Sequence, residues 1–293
     1  MYRILSILAL LCVVQLVHAQ TGSDDLLDQV ASIRSKEPDS ALLLLDALST
    51  DSLTSAQLGQ YYDLRGESHW DAGNLDEAVL AFEQSHDVYA QEEEDSLAFE
   101  ALYKIGACAR YYGKYTLALE GYEKARAFAQ EQDRPLLEGD AINAIGIIHY
   151  QNGDNLSALR FYLTALQIYE QQEAENNMAK MYNNLGIIYK VSQNYPKAIA
   201  YYRKTITIRL NLGQVESLIA PFYNLNELYH YTGDYTQALA ISREAMQLAT
   251  RFEDTFWQGG IHTMMINDYI SLDQLDSAAI HLHAYREFAE GDA

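Results

Sequence analysis

Residues 182–205 read YNNLGIIYKVSQNYPKAIAYYRKT and contain two apolar stripes with helical spacing. The first stripe comprises Tyr182, Leu185, Gly186 and Tyr189, and the second comprises Ala198, Tyr202 and Thr205. Apolar residues that recur at i, i+3, i+4 and i+7 predict amphipathic α-helices. Small residues at Gly186 and Ala198 allow two antiparallel helices to approach closely, and the aromatic residues fill the space beside them. The stretch therefore predicts one packed helix pair.

The same pattern recurs along the chain with a period of forty residues. The alanine position is occupied six times, by Ala78, Ala118, Ala158, Ala198, Ala238 and Ala278. Twelve residues before these alanines stand Gly66, Gly106, Gly146, Gly186, Asn226 and Ile266. Four residues after them stand Phe82, Tyr122, Tyr162, Tyr202, Ser242 and Leu282. Six copies in phase predict stacked helical repeats, and the departures at Asn226, Ile266 and Ser242 predict less regular packing in the fifth and sixth units.

Short turns between the two stripes of each unit carry the residues that end one helix and begin the next. Glycine suits the left-handed residue that ends the first helix, and it is found at Gly73, Gly113, Gly153 and Gly233. The predicted N-caps of the second helices are Asn74, Asp154, Asn194 and Asp234. Asn74 with Glu77, and Asp234 with Gln237, are predicted capping boxes.

The units resemble the tetratricopeptide repeat, whose pattern is W-x2-L-G-x2-Y followed by A-x3-F. The resemblance covers residues 59–293, in units 59–98, 99–138, 139–178, 179–218, 219–258 and 259–293. It implies an all-α fold, a right-handed superhelical solenoid of antiparallel helix pairs. A repeat of forty residues exceeds the usual length, which implies extra helix and linker in each unit. Residues 20–58 predict a further helix pair, a degenerate repeat or N-terminal cap, interrupted at Glu37-Pro38.

The first nineteen residues have the three-part pattern of a secretory signal peptide. Arg3 precedes an apolar stretch over residues 4–14, and Val17-His18-Ala19 forms a cleavage site before Gln20. The apolar stretch is too short for a comfortable membrane span, although an uncleaved membrane anchor is the alternative. We therefore expect a periplasmic or secreted protein that has no membrane span after cleavage.

Composition and missing motifs narrow the function classes. The chain has 41 acidic and 20 basic residues, a formal net charge of −21, which repels nucleic-acid phosphates. Its 2 cysteines exclude a disulfide framework and a cysteine-based metal centre. Phosphate-binding glycine loops, H-E-x-x-H and G-x-S-x-G are absent, so we predict no enzyme activity, no cofactor and no metal site. For an enzyme, His230 beside Glu227 is the pair of interest.

The resemblance further implies that the first helices line a concave groove in which a protein or peptide partner binds. The groove positions predicted to contact a partner are Tyr103, Lys104, Arg110, Tyr111, Asn143, Tyr150, Lys180, Asn183, Asn184, Lys190, Tyr223, Asn224 and Tyr231. Asn184 and Asn224 occupy the same position in successive units, and family members grip a peptide backbone with such asparagine ladders. The tyrosines offer rigid amphipathic contact area. The alternative is that the asparagines are only solvated and the tyrosines are structural.

These observations predict an exported, non-enzymatic protein that binds a protein or peptide in its groove. Two alternatives stay open. One, implied by the resemblance to exported sensor domains, is an orphan or truncated sensor part of a signalling regulator. The other is an oligomerising scaffold. The sequence stops after the last second helix, so we expect Leu282, Tyr285 and Phe288 to face outward and to allow self-association through the C-terminal repeat.

Overall fold

The computed structural model describes residues 22–291, and within that range it consists of α-helices and short 3₁₀ turns without β-strands. The residues fall into two compact units that divide after Asp154. The first unit contains α1 (Ser23–Ile33), α2 (Pro38–Asp46), α3 (Ser55–Ala72), α4 (Leu75–Gln91), α5 (Asp95–Tyr111), α6 (Tyr115–Glu131) and α7 (Pro135–Gln151). Successive helices are antiparallel neighbours joined by short turns, so the predicted all-α architecture of helix pairs is confirmed.

The second unit contains another seven helices over its described residues. They are α8 (Asn155–Gln171), α9 (Glu175–Val191), α10 (Tyr195–Asn211), α11 (Ile219–Tyr231), α12 (Tyr235–Arg251), α13 (Thr255–Ser271) and α14 (Leu275–Gly291). A 3₁₀ turn, Val215–Leu218, precedes α11. The first helices mostly begin four residues before the unit boundaries taken from the sequence, because the extra residues of each repeat lengthen the helices, most of which have 17 residues.

The turns within the repeats have the predicted left-handed residue. Gly73, Gly113, Gly153 and Gly233 all have positive φ angles. The Asn194 and Asp234 side chains accept the backbone N–H of the residue three positions later, which confirms these two N-caps. Asn74 occupies the predicted N-cap position of α4, but the capping box predicted with Glu77 is wrong, because the Asn74 side chain makes no capping bond and its amide lies 3.5 Å from the His69 ring.

Glycine allows the closest helix approach in three repeats. A Cβ atom at Gly66, Gly106 or Gly186 would lie 2.5 to 2.6 Å from the ring of Phe82, Tyr122 or Tyr202, respectively. Real Cβ atoms do not approach other atoms so closely, and all three rings are enclosed. The joint between the two helices of these repeats therefore depends on the absence of a side chain, as the sequence pattern predicts.

The N-terminal helix pair packs directly onto the first repeat. Leu27 and Val30 of α1 and Leu45 of α2 are fully enclosed, in one cluster with Tyr61 and Leu64 of α3. Apolar residues that would otherwise end the first unit in solvent are thereby covered. The predicted signal peptide, residues 1–19, lies outside the described residues, and among the described helices none is long and apolar enough to cross a membrane.

Candidate partner-binding site

The first helices of the first unit carry an internal network of ion pairs. Lys104 Nζ lies 2.7 Å from Asp63 Oδ2 and 2.8 Å from Glu67 Oε1. Arg34 Nε lies 2.8 Å from the second carboxylate oxygen of Glu67. Burial lowers the pKa of Lys104, but Asp63 and Glu67 outweigh that effect and raise this pKa above its ordinary value. Lys104, predicted as a partner contact, is therefore already neutralised by its own chain.

Two other predicted contacts in α5 also belong to the interior more than to the surface. Tyr103 packs between Phe99 and Tyr122, with ring centroids 5.7 and 4.9 Å away, and burial raises its pKa. Arg110 is half-buried beside the Tyr122 hydroxyl. Both residues therefore pack against the aromatic contact between the two helices of the second repeat. Their position in the repeat alone did not show whether their side chains would be buried or exposed.

The remaining predicted contacts of the first unit are more accessible. Tyr111 is 72% exposed and packs edge-on against Trp70, with ring centroids 6.2 Å apart. Asn143 and Tyr150 are half-buried on α7. Of the residues predicted in this unit, Tyr111 therefore presents the most open aromatic surface.

In the second unit, polar contacts link α9 to α11. Lys190 Nζ of α9 lies 2.7 Å from Glu227 Oε2 and 3.3 Å from Asn224 Oδ1, both on α11. Asn183 and Asn184 are half-buried on α9, and Lys180 is exposed near the start of that helix. The structure thus brings Lys190 and Asn224, two predicted site residues, into direct contact.

Exposed tyrosines stand beside this polar pair. Tyr231 is 71% exposed, and its ring meets Tyr195 edge-on at a centroid distance of 5.4 Å. The two rings, together with Lys190 and Glu227, border a cavity of about 250 Å³, which we name the tyrosine cleft. Tyr223, 54% exposed, lies two helical turns earlier on α11. The cleft combines aromatic surface with hydrogen-bonding groups, the composition of a peptide-binding site.

The pair of His230 and Glu227 that an enzyme would need is not formed, because Glu227 binds Lys190. Instead, His230 Nδ1 lies 2.7 Å from Oδ1 of Asp268, a fully enclosed residue of α13. Burial raises the pKa of Asp268, while hydrogen bonds from His230 and Asn226 oppose the rise. The carboxylate is buried in the packing between helices, so the pair has the setting of a structural contact.

Asn226 and Ser242 complete this arrangement, which we name the polar joint (Asn226, His230, Ser242 and Asp268). Asn226 Nδ2 lies 2.8 Å from Asp268 Oδ2 and 3.0 Å from Ser242 Oγ. The positions forty residues apart from Asp268 hold Ser68, Cys108, Ile148, Ile188 and Leu228, all of them buried. An aspartate at a core position that is small or apolar in the other repeats was the sequence signal for this joint. Its carboxylate needs polar partners, which explains why the fifth repeat has Asn226 and Ser242 in place of glycine and an aromatic residue.

Within residues 22–291, no group of three or more histidine, cysteine, aspartate or glutamate side chains is arranged to hold an ion. Cys108 is enclosed in the core, and burial raises its pKa to about 12. A thiol that remains protonated packs as a small apolar group.

Comparison with family models gives a match to one part of the repeat array. A family model described as tetratricopeptide repeat matches residues 137–211. Comparison with curated proteins gives no match. The resemblance inferred from the six sequence units is therefore supported by an independent match within the array.

Solved structures share the fold at low sequence identity. The BtubC (BKLC) protein from P. vanneervenii is 20% identical, with a TM-score of 0.60 over 80% of this chain and 94% of that one. A signal transduction ATPase with numerous domains from Pyrococcus horikoshii, which has a tetratricopeptide repeat sensor, is 13% identical, with a TM-score of 0.69 over 89% of this chain and 41% of that one.

A third similar structure contains a bound peptide. The Rap conjugation gene regulator of the plasmid pLS20, in complex with the Phr* peptide, is 16% identical, with a TM-score of 0.55 over 90% of this chain and 84% of that one. Identities at this level establish a shared fold. Together with the family-model match over residues 137–211, they support the resemblance to the tetratricopeptide repeat that the six units in phase indicate.

Proposed function

We propose that this protein binds a protein or peptide partner on the first helices of its second unit, with the tyrosine cleft as the centre of the site. The observation that carries the proposal is the exposure of Tyr231 beside Tyr195 at the mouth of a cavity. Large exposed aromatic side chains that border a concave surface are typical of interaction sites. The role that we propose for this surface is binding.

The spacing of the exposed groups suits an extended peptide. Tyr223 and Tyr231 are eight residues apart on α11, about 12 Å along the helix axis. An extended peptide covers that distance in about four residues. Its side chains would contact the two tyrosines, and its backbone would hydrogen-bond to Asn224 and to the Lys190–Glu227 pair between them. The peptide complex of the Rap regulator supports this use of the fold.

The test is a partner pulldown with matched variants. We expect crosslinking and mass spectrometry of a native extract to recover a partner with the unmodified chain. Tyr223→Ala combined with Tyr231→Ala should weaken the affinity for that partner at least about tenfold, because aromatic anchors dominate binding energy. The control is Leu156→Ala, which removes an exposed apolar side chain from the second helix α8. Equal affinity of the double variant and the control would refute the tyrosine cleft as the site.

Export is a separate part of the proposal. The motivating feature is the leader over residues 1–19, with its cleavage site before Gln20. We expect the mature protein, isolated from an envelope or culture fraction, to begin at Gln20. Sequencing of its N-terminus checks this, and a mature chain that retains Met1 in the cytosolic fraction would contradict it.

A second candidate function, self-association, comes from the last helix pair. Ile280 is 68% exposed on α14, and Leu275, Leu282 and Tyr285 are exposed on the same helix. A helix that leaves several apolar side chains in solvent can pair with a second copy. Light scattering over a concentration series should then show a dimer that Ile280→Glu dissociates, whereas a strict monomer would exclude this candidate. The other alternative is the sensor part of a signalling regulator. In that case, the tyrosine cleft would bind the signal molecule.

A further inference from the structure

A second cavity, of about 670 Å³, lies where the chain enters the fifth repeat. The cause is local. In a regular α-helix the Pro221 ring would collide with the carbonyl oxygen of Ser217, four residues earlier. The chain instead forms the 3₁₀ turn Val215–Leu218, and α11 has 13 residues where the other first helices of this unit have 17. The 3₁₀ turn that replaces the start of this helix borders the cavity, together with α9, the end of α10 and the start of α13.

Two cations without acidic partners line this cavity. Lys180 is exposed, and Arg209 is half-buried. Arg209 Nη1 donates to Gln214 Oε1 at 3.2 Å, but within the described part of the chain no carboxylate lies at ion-pair distance from either cation. Burial lowers the pKa of Arg209, since a desolvated charge without a counterion is unfavourable. In a chain with 41 acidic residues, a guanidinium without a carboxylate partner is able to pair with an anion that enters the cavity.

Unsatisfied hydrogen-bond donors accompany the cations. Trp257 is 3% exposed, and its indole Nε1 has no acceptor among residues 22–291. Arg209 Nε is enclosed without an acceptor in the same way. Neither atom exposes surface to the cavity, so both donors belong to its wall and neither contacts a group bound in it.

The acidic residues of the cavity limit the choice of ligand. Asp254 Oδ1 accepts the Trp257 backbone N–H at 2.8 Å and caps α13, and Glu216 is exposed on the 3₁₀ turn. Two carboxylates nearby disfavour a doubly charged phosphate more than a singly charged carboxylate. Phe252 and Val215 add apolar wall, which suits a carboxylate on an apolar body.

We propose that this cavity binds a carboxylate, which Arg209 holds through its guanidinium with support from Lys180, beside the Trp257 ring in the cavity wall. The planar guanidinium matches a carboxylate with two parallel hydrogen bonds. The carboxylate belongs either to a peptide, as its C-terminus or an acidic side chain, or to a free small organic acid. The site lies apart from the tyrosine cleft in its lining residues and does not depend on the function proposed there.

The indole N–H resonances provide a direct test, because the chain has only 2 tryptophans, Trp70 and Trp257. The probes are random tetrapeptides with free carboxyl ends, the same peptides amidated, a set of small organic acids with their primary amides, and inorganic phosphate. We expect carboxylates, but not amides or phosphate, to shift the Trp257 signal in a saturable way and to leave the Trp70 signal unchanged. A comparison of the affinities for free-carboxyl peptides and for small organic acids distinguishes a peptide ligand from a free small acid.

Variants separate the site from general ionic effects. Arg209→Gln and Lys180→Gln should each weaken carboxylate binding at least about tenfold. Lys204→Gln removes an exposed charge from the same helix as Arg209, outside the cavity, and should leave binding unchanged. Lys180 is exposed, so its variant stays informative if Arg209→Gln unfolds. The proposal is overturned if amides or phosphate bind as well as carboxylates, if no probe shifts the Trp257 signal, or if both cavity variants bind normally.

Discussion

The second and fifth repeats join their two helices in opposite ways. In the second repeat, Gly106 lies against the enclosed ring of Tyr122, and a Cβ atom would come within 2.6 Å of that ring. In the fifth repeat, Asn226 and Ser242 occupy the equivalent positions and bond to each other, and Asn226 also donates to Asp268. The first joint is apolar and is specified by shape, whereas the second is polar and is specified by hydrogen bonds.

The difference shows what each joint contributes. Close packing of a ring on a glycine gains contact energy and tolerates no added atom. A buried network of amide, hydroxyl, imidazole and carboxylate contributes little net stability, because desolvation offsets the new hydrogen bonds. Loss of any one partner nevertheless destabilises the fold, because an unpaired buried charge costs free energy. The fifth repeat therefore has less close packing between its helices than the second repeat, but its hydrogen bonds fix the orientation of α11. That helix contributes residues to the tyrosine cleft.

The largest expected effect tests the apolar joint. Gly186→Ala places a methyl group 2.6 Å from the enclosed Tyr202 ring, and we expect it to lower the free energy of unfolding by about 3 kcal/mol. The control is Gly260→Ala in α13, where nothing lies within 4 Å of the added methyl group. The control should stabilise the chain by about 1 kcal/mol, because alanine favours helix over glycine. Urea unfolding measures both, and equal effects would show that the ring can move aside.

The next effect tests the polar joint. His230→Ala leaves the buried Asp268 carboxylate without its imidazole partner, and we expect a loss of about 2 kcal/mol of unfolding free energy. The triple variant Asn226→Gly, Ser242→Tyr and Asp268→Ile restores residues found in the other repeats and should be at least as stable as the native chain. Denaturant titration compares the three proteins, and a harmless His230→Ala would mean that solvent already satisfies Asp268.

The stability of the last helix pair, α13 and α14, is expected to depend on pH. His262 Nδ1 lies 2.9 Å from His281 Nδ1, and burial lowers both pKa values below the ordinary 6.5. The unfolded chain then takes up protons first, so stability is lost as the pH falls through about 6.5. We expect the hydrogen-exchange protection factors of α13 and α14, which are corrected for the intrinsic exchange rate, to fall between pH 7 and pH 5. His281→Gln should flatten this dependence, whereas His283→Gln, at an exposed side chain, should not.

Sequence predicted the helix pairs because each joint repeats its local signal every forty residues. The accessible residues of the candidate binding site were harder to predict, because long charged side chains form ion pairs with residues of neighbouring helices. Lys104 and Lys190 occupy groove positions, yet Asp63 neutralises one and Glu227 the other. Asp268 was within reach of sequence reasoning, since the related positions are small or apolar. The cavity at Arg209 was not, because it arises from a 3₁₀ turn that shortens one helix.

The smallest effect concerns the helix caps, where the two units also differ. Asp234 accepts the Gln237 backbone N–H at the start of α12, so Asp234→Ala should cost about 1 kcal/mol of unfolding free energy. Asn74 stands at the equivalent position of the first repeat but makes no capping bond, and Asn74→Ala should be nearly neutral. Thermal unfolding of the two variants checks the pair. Equal losses would mean that Asn74 caps α4 in solution, and the capping box with Glu77 predicted from the sequence would then be restored.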